Sequence, residues 1–145
     1  MTSHIANLIC HIVEGKDMPK MDSGPFSKSD LFVEVQVEEK KRSTKVIKKS
    51  LTPIWNEKIT LPFERKDAQA IFKVYDQDAL TSNDLVGEVS VEIMKLKPGP
   101  NDLWFTLPEM KGTEGKLHLV LSLEPTIQVQ VGGASVRKKK KKKNF

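Results

Sequence analysis

One cysteine, Cys10, and one tyrosine are all that 145 residues contain of these types, and aromatic side chains make up only 6% of the chain. A single thiol excludes an internal disulfide and a thiolate zinc cluster, and it fits a reducing compartment. No stretch approaches the ~18 consecutive apolar residues of a membrane-spanning helix. The opening MTSHIANLICHIVEG has neither the basic start nor the long apolar run of a secretory signal. Lipidation signals are also missing, since residue 2 is Thr2 rather than glycine and the chain ends Lys142, Lys143, Asn144, Phe145 with no prenylatable cysteine. The expectation is a soluble intracellular protein for which any membrane attachment is reversible. There is no Gly-rich phosphate loop and no Ser, His and Asp set in a catalytic context, so catalysis is not expected. His4, His11 and His118 lack metal-ligand spacing and are expected on sheet faces or in a tail.

Charge is present but unevenly placed. The formal net charge is +5, yet Arg137, Lys138, Lys139, Lys140, Lys141, Lys142 and Lys143 hold seven of the 24 basic residues and no acid follows them. That leaves 17 basic residues against 19 acidic ones, a net −2, over residues 1–136. A block of like charges repels itself and does not pack, so residues 137–145 are expected to be a disordered polybasic tail suited to an anionic surface, lipid or nucleic acid.

The dominant period is two, the period of strands. SDLFVEVQVEE sets Val33, Val35 and Val37 on one face and Glu34, Gln36 and Glu38 on the other, and GKLHLVLSLEP repeats the pattern with Leu117, Leu119, Leu121 and Leu123. Similar readings cover Asn7 to Glu14, Ser43 to Lys48, Glu57 to Pro62, Ala70 to Tyr75 and Gly87 to Ile93, with a shorter apolar piece at Leu103 to Leu107. Turn signals at Pro19 to Pro25, Thr52 and Pro53, Ser82 and Asn83, and Pro98 to Pro100 separate them. Single helical turns are expected at RKDAQAIF and SVEIMKLKP. Trp55 and Asn56 are read as structural, Trp104 as core, and Cys10 as an ordinary strand residue. The chain length suits one domain, and the pattern predicts an all-β fold, an eight-stranded antiparallel β-sandwich. Residues 126–136, with Ile127, Val129 and Val131 alternating, form either a further strand or a linker.

Five aspartates stand in two clusters beside these strands, Asp22 and Asp30 early and Asp76, Asp78 and Asp84 in VYDQDALTSND. Pairing the flanking strands brings both clusters to one edge, where five like charges repel unless a cation sits among them. Hard carboxylate oxygens make calcium the first candidate. An EF-hand template fails on DQDALTSNDLVG, because its fifth, sixth and twelfth positions fall on Leu80, Thr81 and Gly87. The Asp-x-Asp of phosphotransferases needs alternating strands and helices that are missing here.

Together these motifs carry a resemblance. An opening strand running into GKDMPKMD, then SDLF, TKVIKKSLTPIWNE, VYDQDALTSND and LVGE, in that order, resemble the C2 domain, the calcium-dependent phospholipid-binding sandwich, from about Asn7 to Pro125. The resemblance implies a Greek-key C2-like domain over 1–125, with 126–136 and the tail at 137–145 outside it. It implies Ca2+ ligands at Asp22, Asp30, Asp76, Asp78 and Asp84, with Thr81 supplying a hydroxyl and Met21 and Gln77 supplying carbonyl oxygens. Opening directly on LICHIVEGKDM and closing on GKLHLVLSLEP resembles the permuted, phospholipase-type arrangement of the family. Three departures from the family pattern are visible: about two extra residues between Asp22 and Asp30, Leu31 where proline is usual, and Glu34 and Gln36 where some members carry a lysine groove. Only Lys45, with Lys40, Lys41 and Arg42 nearby, keeps that region basic.

The function so implied is calcium-dependent binding to anionic, phosphatidylserine-rich phospholipid membranes. Phe26 and Leu80 are expected at the tips of the two loops, and the tail is expected to give further attachment worth roughly 1 kcal/mol per basic residue before entropy and salt reduce it. The expected location is the cytoplasm with recruitment to the inner leaflet of the plasma membrane. The competing reading is a nucleic-acid-binding or nuclear-targeted protein that uses the lysine run, with the sandwich as a protein-interaction module. No aromatic residues are interleaved with the lysines, so phosphate contact is supported and base stacking is not.

Overall fold

Leu31, Val33, Val35 and Val37 are fully buried while Phe32, Glu34 and Gln36 between them are not, the burial expected when alternate residues of a strand face opposite sides. The computed structural model describes residues 4–21, 28–77 and 82–125. Over these the period-two segments become β1 Ala6–Lys16, β2 Leu31–Val37, β3 Lys40–Ser43, β4 Ile54–Phe63, β5 Gln69–Asp76, β6 Asp84–Glu92, β7 Asn101–Thr106 and β8 Lys116–Pro125. Two four-stranded sheets result, in the orders β4-β1-β8-β7 and β3-β2-β5-β6, and every pairing is antiparallel. Their inner faces supply one core, built on Leu8, Ile12, Trp55, Leu61, Phe63, Phe72, Val74, Leu117 and Leu119 among others. Each such side chain contributes about 1.5–3 kcal/mol by leaving water.

Three sequence expectations need correction. The strand expected at Ser43 to Lys48 lies earlier, at Lys40–Ser43, because the chain turns back at Glu38, whose φ is 56°. Beyond it the buried Thr44 replaces ladder pairing: its N–H donates to Val33 O at 2.9 Å and its Oγ1 accepts from Val33 N–H at 3.0 Å. Only Ile47 then bridges back, to Leu31. RKDAQAIF holds one hydrogen-bonded turn, Ala68 N–H to Arg65 O at 3.1 Å, but no helix, since Ala68, Ala70, Phe72 and Val74 bury on one side at strand spacing. SVEIMKLKP does hold a single 3₁₀ turn, Ile93–Lys95. Trp104 is not core; it is 44% exposed, because β7 is an edge strand that turns Asn101, Leu103 and Phe105 inward and Asp102, Trp104 and Thr106 out.

The register sets the two ends of the sandwich. Lys16 lies opposite Lys116, which in turn lies opposite Thr106; Leu31 lies opposite Asp76, and Asp76 opposite Asp84. The β1–β2, β5–β6 and β7–β8 connections therefore leave from one end. Ala6 lies opposite both Phe63 and Pro125 at the other end. Residues 126–136 and the tail lie outside the described residues, as does any strand formed there.

Candidate metal centre

Asp30 ends the β1–β2 connection one residue before β2, Asp76 ends β5, and Asp84 begins β6. Because β2, β5 and β6 are neighbours, strand pairing alone brings these three aspartates to one edge. Backbone donors then fix two of them. Asp30 N–H donates to Asp76 Oδ1 at 2.8 Å, Gln77 N–H donates to Asp30 O at 2.8 Å, and Lys49 N–H donates to Asp30 Oδ1 at 2.7 Å. Asp76 is only 4% exposed, whereas Asp84 is open to solvent.

The stem of the first connection is held separately. Ser29, fully buried, donates its hydroxyl to Pro19 O at 3.0 Å and accepts from Met21 N–H at 3.2 Å. Ser50 N–H donates to Ser29 O at 3.0 Å and Met18 N–H to Leu51 O at 3.1 Å, so the β3–β4 connection braces the same stem. Met18 packs where two glycines leave room: a Cβ on Gly15 would stand 2.5 Å from Met18 Cε, and one on Gly115 2.8 Å from Met18 Sδ. The Met21 carbonyl so presented accepts from Lys111 Nζ at 2.9 Å.

Of the expected ligands, Met21, Asp30, Asp76, Gln77 and Asp84 lie within the described residues. Asp22, Asp78 and Thr81, with Phe26 and Leu80, lie outside them. Among the described residues no three of His, Cys, Asp and Glu group closely enough to hold an ion by themselves. Asp30, Asp76 and Asp84 offer only oxygen, the donor chemistry of a hard cation, and two of them are already joined through Asp30 N–H. The residues present fit calcium in kind, and a shell of roughly six to eight oxygens would draw on Asp22 and Asp78 as well. Sequence reasoning missed Ser29 and Lys111, which act through contacts distant along the chain.

A second polar cluster lies on the outer face of the β4-β1-β8-β7 sheet. His118 meets Glu14 Oε2 through Nδ1 at 2.9 Å and Asp102 Oδ1 through Nε2 at 2.7 Å. Trp104 stacks on its ring at 4.4 Å between centroids, and Lys16 Nζ lies 4.9 Å from the Trp104 ring. Burial disfavours the charged imidazole, but the hydrogen bonds and charges of Glu14 and Asp102 outweigh it, so the pKa rises from the ordinary 6.5. A folded value above the unfolded one makes the stabilisation complete below pH ~6.5 and lost as pH climbs through the folded value. An NMR titration of His118 should give a midpoint above ~6.5. Asp102→Asn should lower that midpoint and shrink the extra stability seen at pH 6 relative to pH 9 in urea; an unmoved midpoint would rule out the ion pair. Cys10 takes no part in such chemistry, because burial pushes its thiol up to about 12.

The elements β1 to β8 define an antiparallel sandwich of eight strands with Asp30, Asp76 and Asp84 brought to one end. The family model for the C2 domain matches residues 6–107, and the chain belongs to the C2 domain family. Synaptotagmin-3 of Mus musculus is 33% identical over 132 residues, 83% of this chain and 22% of that protein. A single C2 domain of plant Extended Synaptotagmin 1 superposes with a TM-score of 0.78 at 20% identity, covering 88% of this chain and all of that one. The calcium-bound tandem C2 domains of Extended-Synaptotagmin 2 give 0.75 at 27% identity, covering 85% of this chain and 47% of theirs. The chain spans between 10% and 22% of the length of curated relatives it matches. Some of these are enzymes, a protein kinase C among them, in which the C2 domain is one part of a longer chain. Among the described residues no helix is long and apolar enough to cross a membrane.

Proposed function

We propose that this chain binds anionic phospholipid membranes in a calcium-dependent way, as a non-catalytic targeting or adaptor module. The observation that carries the reading is the Asp30–Asp76 link, with Asp84 at the same edge: three carboxylates brought together by β2, β5 and β6, two of them held by backbone donors. The calcium-bound Extended-Synaptotagmin 2 structure supports the choice of ion, and membrane binding is the general role of the family. The opening strand lying between β4 and β8 supports the permuted, phospholipase-type arrangement. On this reading residues 1–125 form the C2 domain, 126–136 a linker or further strand, and 137–145 the basic tail.

Electrostatics supply the mechanism. Asp22, Asp30, Asp76, Asp78 and Asp84 repel an anionic bilayer while no cation is present. A bound calcium ion supplies positive charge and open coordination positions for phosphate or serine carboxylate oxygens. Phe26 and Leu80 then add roughly 1–2 kcal/mol each where they bury among lipid, and Arg137 to Lys143 attract the same leaflet with a strength that falls as salt rises. The location that follows is cytoplasmic, with recruitment to the phosphatidylserine-rich inner leaflet of the plasma membrane.

Co-sedimentation with vesicles containing or lacking phosphatidylserine, in calcium or chelator, tests this for the intact chain and for a truncation after Val136. The truncated domain should pellet only with both calcium and phosphatidylserine, and the intact chain should keep partial binding in chelator. A truncated domain indifferent to calcium, beside an intact chain that binds nucleic acid tightly at physiological salt, would sink the lipid reading.

A further inference from the structure

The β7–β8 connection reverses through Met110, Lys111, Gly112 and Thr113, with Met110 N–H donating to Thr113 O at 2.9 Å and Thr113 N–H to Met110 O at 3.1 Å. Both central residues are left-handed, Lys111 at φ 54° and Gly112 at φ 78°. That two-residue turn favours Asn, Asp or Gly at its first centre, and a lysine there bears a backbone cost that glycine avoids. What the lysine gains is reach: its Nζ donates to Met21 O at 2.9 Å across the loop end. The acceptor is not a wandering group. Ser29, buried, holds Met21 N–H on one side and Pro19 O on the other, so the carbonyl that Lys111 meets is presented by a braced stem, immediately before Asp22.

We propose that Lys111 is a tethered cation that occupies the Met21 carbonyl while the loops are free of metal and withdraws when a divalent ion enters. This rests on the calcium reading above. With Met21 O as a ligand, as that reading has it, the ammonium stands on an oxygen the ion would take, and its positive charge opposes the entry of a cation there. Lys111 therefore weakens calcium binding by the free domain. Once released, its charge stands at the loop end, where an anionic lipid phosphate can take it as a point-charge partner. One side chain thus lowers ion affinity in solution and restores it on a membrane, which widens the gap between the two.

Calorimetric titration of the whole chain with calcium chloride tests this, comparing the wild type with Lys111→Met, Lys111→Gly and, as a charge control at the opposite end, Lys97→Met. Lys111→Gly suits the left-handed turn, so a folded variant without the ammonium remains available should Lys111→Met be destabilised. Both Lys111 variants should bind calcium about fivefold more tightly than the wild type, the effect of removing one solvated charge beside the ion, while Lys97→Met stays near the wild type. Repeating the titration on phosphatidylserine vesicles should show a smaller vesicle-induced gain for the Lys111 variants. Without calcium, the Met21 carbonyl carbon shift should move in Lys111→Met and not in Lys97→Met. If the wild type binds calcium and the Lys111 variants match Lys97→Met, the guard role is wrong and the calcium reading stands. If the wild type takes up no calcium, both are wrong.

Discussion

Calcium affinity should fall by at least about a hundredfold when Asp76 and Asp78 are both replaced by asparagine, a loss set by removing two charges at close range to the ion. Asp76 is the informative member because of its surroundings. It is 4% exposed and its Oδ1 accepts from Asp30 N–H, a bond that an asparagine carbonyl oxygen can still accept. The variant therefore keeps that bond between the β1–β2 connection and the end of β5 while two charges are removed. Its urea midpoint in chelator should be no lower than that of the wild type, since like-charge repulsion at the loop end has been relieved. Calorimetry and urea unfolding on the same samples separate the two effects. Binding retained within about threefold would remove the loop end as the metal site.

Trp55→Ala should be the most damaging single change to the fold. The side chain is 2% exposed, and its indole N–H, on β4 of one sheet, donates to Leu31 O on β2 of the other at 3.1 Å. Emptying such a site costs about 3–5 kcal/mol, a large part of the ~5–15 kcal/mol that holds a domain together. Trp55→Phe is the sharper probe. It keeps most of the apolar volume, and Leu31 O still accepts from Ile47 N–H at 2.9 Å, so no buried carbonyl is left without a donor. The expected cost is about 1–2 kcal/mol, read from urea unfolding. An alanine variant within about 1 kcal/mol of the wild type would contradict the core position described for Trp55.

Asp76 and Trp55 are both legible in the amino-acid sequence, the first from its turn-rich setting at a strand end and the second from the PIWNE segment. Strict alternation in β2 and β8 identifies strands because each has one buried face. β3 escapes because Lys40, Lys41 and Arg42 carry the charges of a protected sheet edge and no apolar alternation. Trp104 is misread as core because an aromatic residue on an edge strand packs outward as readily as inward, and its partner His118 lies on β8, unrecognisable from neighbours in the chain. Asp30 and Asp84, like Asp76, stand where turn-rich segments meet strand ends. Ser29 and Lys111 leave no local pattern, since one is a hydroxyl that braces a stem and the other a lysine that crosses to another connection. Asp22 and Asp78 stay expectations from resemblance.

The two ends of the sandwich carry a further consequence for how attachment is arranged in space. Pro125 ends β8 opposite Ala6, at the pole away from the loops. β8 itself has ten residues, a rise of about 33 Å. The eleven residues of 126–136 span at most about 40 Å when drawn straight. Loops and lysines meeting the same bilayer would therefore need that segment pulled nearly taut along the whole height of the domain, an arrangement with little slack and poor avidity. The reach of 126–136 thus sets how strongly the basic run can assist the loops on one leaflet. Lengthening that segment with glycine and serine should strengthen calcium-dependent pelleting of the intact chain with phosphatidylserine vesicles, and an unchanged pellet would show that reach is not limiting.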